Sequence, residues 1–139
     1  DYFDKHQAVK EYMDNQVKFC KANGYTETII GRRRYIKEIN SSNFMTRKLG
    51  ERLAMNSPIQ GSAADIIKLA MISVYKALKE SNLKSKLILQ IHDELIIDTE
   101  IGEEKQVSEL LINCMQKAMD LKVKLLSQLN TGRNWYELK

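Results

Sequence analysis

The sequence predicts an α+β fold in which amphipathic helices pack against an antiparallel β-hairpin. Two short runs rich in isoleucine and leucine, residues 87–91 and 95–97, flank the polar tip His92-Asp93-Glu94. Runs of this length and composition are typical of strands, and a polar tip between them predicts a hairpin turn. Apolar residues recur at spacings of three and four in several other segments, and this period predicts helices that pack against the hairpin.

Length, composition and charge limit the classes of protein to consider. The chain has 139 residues, 43% hydrophobic and 29% charged, which is typical of one soluble globular domain or part of a larger one. No apolar run is long enough for a bilayer, and no secretory signal is present. Cys20 and Cys114 are predicted to be buried free thiols, as expected in a reducing compartment, and lack the neighbours of a zinc site. The net charge of +4 suggests a polyanionic partner.

The first third of the chain predicts a helix followed by a small hairpin. Residues 5–23 have apolar side chains at helical spacing, and Gly24 is well suited to end that helix. Residues 25–30 alternate and contain β-branched side chains, Gly31 breaks the run, and a basic stretch, residues 32–36, follows. This pattern predicts a hairpin with a basic second strand.

Positive charge is concentrated just after that first strand. Residues 32–52 contain seven basic side chains against two acidic ones, and this density favours phosphate binding, because each neutralised phosphate releases counterions. The alternative is a solvated edge strand, since charges on an edge also prevent aggregation. The basic residues are Arg32, Arg33, Arg34, Lys37, Arg47, Lys48 and Arg52.

The remaining elements are three helices and a tail. A helix is predicted over residues 43–56 and should end at Ser57-Pro58. Proline suits the first turn of a helix, so a new helix is predicted over residues 59–79, with Ser57 as its cap. A further amphipathic helix is predicted over residues 103–121, and the tail at residues 123–129 could add a third strand beside the central hairpin.

Two sets of polar side chains are candidates for function. Arg52, Asn56 and Gln60 share a helical face, and each can donate hydrogen bonds to the acceptors of a nucleic-acid minor groove. The alternative is a solvated helix face, and a sharp turn at Pro58 would remove Gln60 from the row.

His92-Asp93-Glu94 offers two adjacent carboxylates, which repel each other unless a cation lies between them. The alternative is an ordinary polar turn, and two carboxylates alone are an incomplete Mg²⁺ site.

Three blocks of sequence are distinctive: GYTETIIGRRRYIKEINSSN, ERLAMNSPIQGSAADIIKLAM and LQIHDELIID. In wording, order and spacing they resemble the C-terminal end of a family A DNA polymerase of the bacterial type. The resemblance implies residues 1–45 in the C-terminal part of the fingers subdomain and residues 46–139 in the C-terminal part of the palm. It also implies template-directed DNA synthesis by two-metal nucleotidyl transfer with Mg²⁺, in replication or repair in the bacterial cytoplasm and nucleoid.

The resemblance assigns roles to particular positions. Asp93 matches the family's metal-binding aspartate, Glu94 its acidic neighbour and His92 a histidine near the primer terminus. The polar row Arg52, Asn56 and Gln60 matches residues that, in this family, contact the minor groove of primer-template DNA. The resemblance places Arg32, Arg33 and Arg34 in the hairpin at the base of the fingers, where template contacts are expected. The implied partners are primer-template DNA, deoxynucleoside triphosphates and the remainder of the polymerase chain, without a membrane.

The resemblance also implies that essential parts lie outside this sequence. The family's second metal aspartate and its nucleotide-binding fingers helix come earlier than the first residue here, so the 139 residues alone are expected to be inactive and to expose apolar surface.

Two other functions stay open. One is a non-catalytic duplex-DNA-binding module, and the other is a metal-dependent nuclease. Asp65 and Asp98 are the nearby acids that a nuclease could use, and both are interpreted as structural.

Overall fold

The computed structural model describes the backbone of residues 2–138 and the side chains of residues 4–138. The chain divides into two compact units, residues 1–65 and 66–139. Helices combine with two small antiparallel strand pairs, as predicted. The elements are α1 Tyr2–Lys5, α2 Gln7–Asn23, β1 Tyr25–Glu27, β2 Arg33–Tyr35, a 3₁₀ turn at Lys37–Asn40, α3 Phe44–Glu80, β3 Lys86–Ile91, β4 Glu94–Asp98, α4 Glu104–Gln116 and a 3₁₀ turn at Trp135–Leu138.

The first unit contains the predicted helix and basic hairpin. Helix α2 ends where Gly24 adopts a φ of 78°, a left-handed conformation that glycine reaches without steric cost. Strands β1 and β2 pair antiparallel, with Glu27 opposite Arg33 and Thr26 opposite Arg34. The core beneath them is small and consists of Cys20, Ile36, Ile39 and Ala54.

Helix α3 corrects the prediction of two helices separated at Ser57-Pro58. It runs without interruption from Phe44 to Glu80, with Pro58 inside it. Asn43 caps the start, since its Oδ1 accepts a hydrogen bond from the Thr46 amide at 3.1 Å. Ser57 is a buried helix residue rather than a cap. A proline within a helix removes one backbone hydrogen bond, and the surrounding contacts here are sufficient to keep the helix continuous.

The second unit has its core between the last part of α3, the β3–β4 hairpin and α4. Its buried residues are Ala70, Val74, Leu78, Leu95, Val107 and Leu111. The start of α4 is tied to the loop between α3 and β3, because Glu103 accepts hydrogen bonds from the amides of Lys84 and Ser85, each at 3.0 Å. These hydrogen bonds lower the pKa of the Glu103 carboxyl, and the one from the Lys84 amide has the largest effect.

The end of the chain differs from the prediction in two ways. Helix α4 ends at Gln116, five residues before the predicted position 121. Within residues 2–138, both sheets have two strands, so the tail at residues 123–129 adds no third strand. Val123 and Leu126 point into solvent, and Leu129 packs against the core from irregular backbone. The alternation of apolar residues therefore marked a packed tail and not a hydrogen-bonded strand.

Smaller expectations also have outcomes. Cys20 is buried, as predicted, whereas Cys114 is only partly buried, and both are free thiols. Apolar side chains are exposed on the central hairpin, as expected, with Ile88 at the bulge and Leu89 beside it. Among the described helices, none has the length and apolar character needed to cross a membrane.

Candidate nucleic-acid interface and metal-binding turn

The turn of the central hairpin consists of two residues, His92 and Asp93. Ile91 pairs with Glu94 across the hairpin, so Glu94 begins strand β4 instead of belonging to the tip as predicted. His92 has a φ of 51°, a left-handed conformation that two-residue hairpin turns require and that histidine tolerates better than most residues. The Gln90 side-chain amide donates to the His92 carbonyl at 2.6 Å and holds the turn.

The two carboxylates at this turn are exposed and available to a ligand. Asp93 and Glu94 both face solvent, and neither makes a hydrogen bond or ion pair within the part of the chain that the structure describes. The next residue, Leu95, is buried, so alternation along β4 directs Glu94 away from the core. Carboxylate oxygens suit a hard divalent cation, which commonly takes one or two from protein and the rest from phosphates and water. Residues 4–138 contain no cluster of three or more metal-binding side chains, so this chain offers a partial set.

The predicted donor row lies on one continuous helix. Because α3 passes through Pro58 unbroken, Arg52, Asn56 and Gln60 keep the i, i+4, i+8 spacing and share one face. All three side chains are exposed, and none is hydrogen-bonded elsewhere in residues 4–138. Eight residues of helix rise ~12 Å, the length of three to four base-pair steps of duplex DNA. The row therefore has suitable chemistry and length for a groove.

The three consecutive arginines, in contrast, have partners inside the chain. Arg32 donates from Nε to Asp65 Oδ1 at 2.8 Å and from Nη2 to the Gly61 carbonyl at 3.2 Å. Asp65 is 3% exposed, which agrees with its predicted structural role. Arg34 donates to the Ser57 hydroxyl at 3.0 Å. These contacts fix the hairpin on α3.

Arg33, the middle arginine, is held within the hairpin itself. Its Nε donates to Glu27 Oε1 at 2.7 Å, and its guanidinium lies 4.5 Å from the centre of the Tyr25 ring. The hydrogen bond to Glu27 raises the pKa of Arg33 above its ordinary value. Sequence reasoning missed this pair, although a turn centred near Ile30 and Gly31 would have placed Glu27 opposite Arg33.

The rest of the basic segment is also largely paired. Arg47 donates to the Ser41 carbonyl at 2.8 Å, and Lys48 and Lys21 both bind Glu51 at 2.8 Å. The hydrogen bonds from these two lysines lower the pKa of Glu51 to about 2. Of the seven basic side chains, Arg52 and Lys37 are the two without an ion pair or hydrogen bond in residues 4–138. Pairing within the chain thus leaves Arg52 as the unpaired cation of the donor row.

The chain belongs to DNA polymerase family A, because the model of that family matches residues 1–137. This confirms the resemblance predicted from the sequence. Among particular proteins, the chain is 55% identical over 138 residues to DNA polymerase I of Caldicellulosiruptor bescii and 47% identical over 137 residues to DNA polymerase I of Borreliella burgdorferi. Each alignment covers 99% of this chain, whereas the chain spans 16% and 15% of those two relatives.

A solved structure agrees with this assignment. The fold is similar to the POL domain of Pol1 from M. smegmatis, solved as a complex with DNA primer-template and dNTP, with a TM-score of 0.95 and 44% sequence identity. That match covers 99% of this chain and 24% of the other. The predicted α+β fold and the predicted family are therefore both confirmed.

Proposed function

We propose that this chain is the segment of a family A DNA polymerase that supplies one metal-binding carboxylate and the minor-groove contacts to primer-template DNA. The reaction would be template-directed addition of deoxynucleotides, on DNA in the bacterial cytoplasm. The observation that carries the proposal is the two-residue turn that presents Asp93, exposed and unpaired within the described residues, at the end of a hairpin. Family membership supplies the reaction class, since relatives about six times as long are named DNA polymerase I.

Asp93 and Glu94 are the residues that would hold a divalent cation, proposed as Mg²⁺. Their oxygens suit such a cation, and further ligands would come from the rest of the polymerase and from substrate phosphates. When bound, a pair of Mg²⁺ ions stabilises the attacking and leaving oxygens of phosphoryl transfer. The chain's own contribution is to keep Asp93 at a rigid turn. The hydrogen bond from Gln90 to the carbonyl of His92 supports this, and His92 is proposed to lie near the primer terminus.

Arg52, Asn56 and Gln60 are proposed to contact the minor groove of the primer-template duplex. Each can donate to purine N3 or pyrimidine O2, a pattern that is nearly independent of sequence, as a polymerase requires. Arg32, Arg33 and Arg34 are proposed to contribute mainly positive charge near the template, because each is held in place by a hydrogen bond to a partner within the chain. The assignment of residues 1–45 to the fingers and 46–139 to the palm is part of the same proposal.

The test is Asp93→Asn in the full-length polymerase that carries this segment. We expect primer extension to fall about a thousandfold, since loss of one metal ligand removes several kcal/mol of transition-state stabilisation. Primer-template affinity should stay within about twofold, because the row on α3 is untouched. Asp98→Asn is the matched control, since Asp98 is an exposed carboxylate at the other end of the same strand. It should leave both quantities unchanged.

Other outcomes would favour the two alternative functions. A parent protein that binds duplex DNA but extends no primer before mutation would be a non-catalytic binding module. Cleavage of DNA with Mg²⁺ or Mn²⁺ that depends on Asp93 would indicate a nuclease. The structure favours neither, because Asp65 is already paired with Arg32, and Asp98 lies ~14 Å along β4 from Glu94 at ~3.4 Å per residue.

A further inference from the structure

Pro58 interrupts the hydrogen-bond ladder of α3 in the middle of the donor row. A proline has no N–H, so the carbonyl four residues earlier, at Ala54, loses its helical partner, and the ring favours a bend. Arg52 and Asn56 precede the proline, and Gln60 follows it. A flexible bend at this point would change the direction of Gln60 relative to the other two side chains.

Side chains and backbone from the β1–β2 hairpin contact α3 on both sides of the proline. Before it, Arg34 donates to the Ser57 hydroxyl at 3.0 Å. After it, Arg32 contacts the Gly61 carbonyl at 3.2 Å and Asp65 at 2.8 Å. The hairpin thus holds the turn before the proline and the turn after it.

A third contact from the hairpin reaches the proline's own carbonyl. The Ile29 amide donates to the Ser62 hydroxyl at 2.9 Å, and that hydroxyl donates to the Pro58 carbonyl at 2.5 Å. The approach is close, because a Cβ built on Gly61 would lie 2.6 Å from Cγ2 of Thr28. The absence of a side chain at position 61 therefore allows the hairpin to reach the helix.

The contacts and the row lie on opposite sides of the helix. Ser57, Pro58 and Asp65 are buried, whereas Asn56 and Gln60 are exposed. The hairpin contacts leave the exposed donors accessible while they hold the backbone that carries them.

We propose that the β1–β2 hairpin is a brace for α3, and that Arg32, Arg34, Ser57 and Asp65 are positioning residues that keep Gln60 aligned with Arg52 and Asn56. The contacts from the hairpin restrain α3 at the point where the helix lacks the backbone hydrogen bond that Pro58 cannot make. This inference depends on the proposed function, because the row matters only if it binds DNA. It also gives Arg32 and Arg34 a role other than direct phosphate binding.

The test changes the acceptors and leaves every cation in place. Ser57→Ala with Asp65→Ala, made in the full-length polymerase, removes the side-chain partners of Arg34 and Arg32 and leaves Arg32 only its contact with the Gly61 carbonyl. We expect primer-template Kd to rise about fivefold, the effect of one weakened hydrogen-bond contact, with kcat at saturating DNA unchanged. Simple electrostatics predicts the opposite, since the loss of a negative charge at Asp65 makes the surface more basic and should tighten binding.

Adding Pro58→Ala to this double variant provides the decisive comparison. Alanine restores the N–H that can bond to the Ala54 carbonyl, so the helix no longer needs the hairpin. The triple variant should bind DNA within about twofold of Pro58→Ala alone, which should itself bind as the parent does. A triple variant as weak as the double variant would overturn the brace.

Gln60→Ala separates failure of the brace from failure of the proposed function. In the parent, Gln60→Ala should weaken DNA binding several-fold, and no effect would refute the donor row itself. In the double variant the same change should have little further effect, because Gln60 is already misaligned. Full additivity, with a normal Gln60 effect in the parent, would refute the brace alone. Ser57→Ala by itself is the milder variant if the double variant fails to fold, and it should show a smaller loss with the same rescue by Pro58→Ala.

Discussion

The two hairpins of this chain differ in whether their charged side chains have partners within the chain. In the β1–β2 hairpin, Arg32, Arg33 and Arg34 are bound to Asp65, Glu27 and Ser57. In the β3–β4 hairpin, Asp93 and Glu94 are exposed and have no partner within residues 4–138. Both hairpins are antiparallel and both carry charged side chains, so the strand pattern alone does not show which charges are paired.

The difference indicates which charges are available for binding. A side chain that is already bound within the chain is held in one position, and a carboxylate partner offsets part of its charge, whereas an unpaired charge has only water to lose. Unpaired side chains at exposed positions are therefore the stronger candidates for function. By this criterion, the carboxylates Asp93 and Glu94 and the cation Arg52 are stronger candidates for binding than the three consecutive arginines, although the arginines are the more conspicuous motif.

The largest effect expected from this comparison is on Arg52. Arg52→Ala in the full-length polymerase should weaken primer-template binding about tenfold, since a base-edge contact by arginine contributes ~1–3 kcal/mol. Arg33→Ala should weaken binding by no more than about twofold, because the Arg33 guanidinium is already bound to Glu27 and stacked on Tyr25. DNA affinity measured by fluorescence anisotropy at two salt concentrations would test both. Equal losses for the two variants would remove the distinction between paired and unpaired charge.

Much of the fold could be predicted, because local patterns determine it. Gly24 marks the end of α2, Asn43 marks the start of α3, and alternation marks both hairpins. The break at Pro58 was wrong, because propensity does not register the hydrogen bonds that distant residues make with Ser57, Gly61 and Ser62. The predicted third strand was wrong for a related reason, since apolar alternation does not show whether a segment pairs or merely packs.

The candidate site was predictable in its residues but not in its internal partners. Sequence spacing placed Arg52, Asn56 and Gln60 on one face, and the structure keeps them there. Their roles, and those of His92, Asp93 and Glu94, remain predictions from the resemblance. The pairing of Arg32 with Asp65 joins residues 33 positions apart, and no local pattern indicates it.

The close contact between the β1–β2 hairpin and α3 gives a smaller and more specific prediction. Gly61→Ala should lower the free energy of unfolding by about 1 kcal/mol, because the new Cβ would lie 2.6 Å from Cγ2 of Thr28 and the overlap exceeds the gain in helix propensity. Thr28→Ser removes that methyl and keeps the hydroxyl that accepts from the Arg32 amide. In a chain that already carries Thr28→Ser, Gly61→Ala should therefore be neutral or stabilising by up to about 1 kcal/mol. Thermal denaturation of the parent, the two single variants and the double variant measures this change of sign, and additive effects would show that the hairpin does not contact α3 at Gly61.

The smallest expected effect tests a paired carboxylate in the same basic unit. Lys21 and Lys48 lower the pKa of Glu51 to about 2, so the folded state favours the ionised form. A lowered pKa contributes stability above the ordinary pKa of about 4.5, and this stability decreases as the pH falls from 4.5 towards 2. Glu51→Gln should thus lower the free energy of unfolding at pH 7 by about 1 kcal/mol or less, because the ion pairs are partly solvated.

At pH 3 the difference between Glu51→Gln and the parent should be smaller than at pH 7, since part of the parent's advantage has been lost. Glu38→Gln is the control, because Glu38 is the other acidic residue of the basic segment 32–52, and its side chain makes no hydrogen bond or ion pair in the described residues. Urea denaturation at several pH values measures both variants. If Glu38→Gln reproduced the pH profile of Glu51→Gln, general charge repulsion, rather than the contacts with Lys21 and Lys48, would explain the effect. The paired carboxylate would then behave like the unpaired carboxylates Asp93 and Glu94, and the contrast between the two hairpins would depend on the DNA-binding data alone.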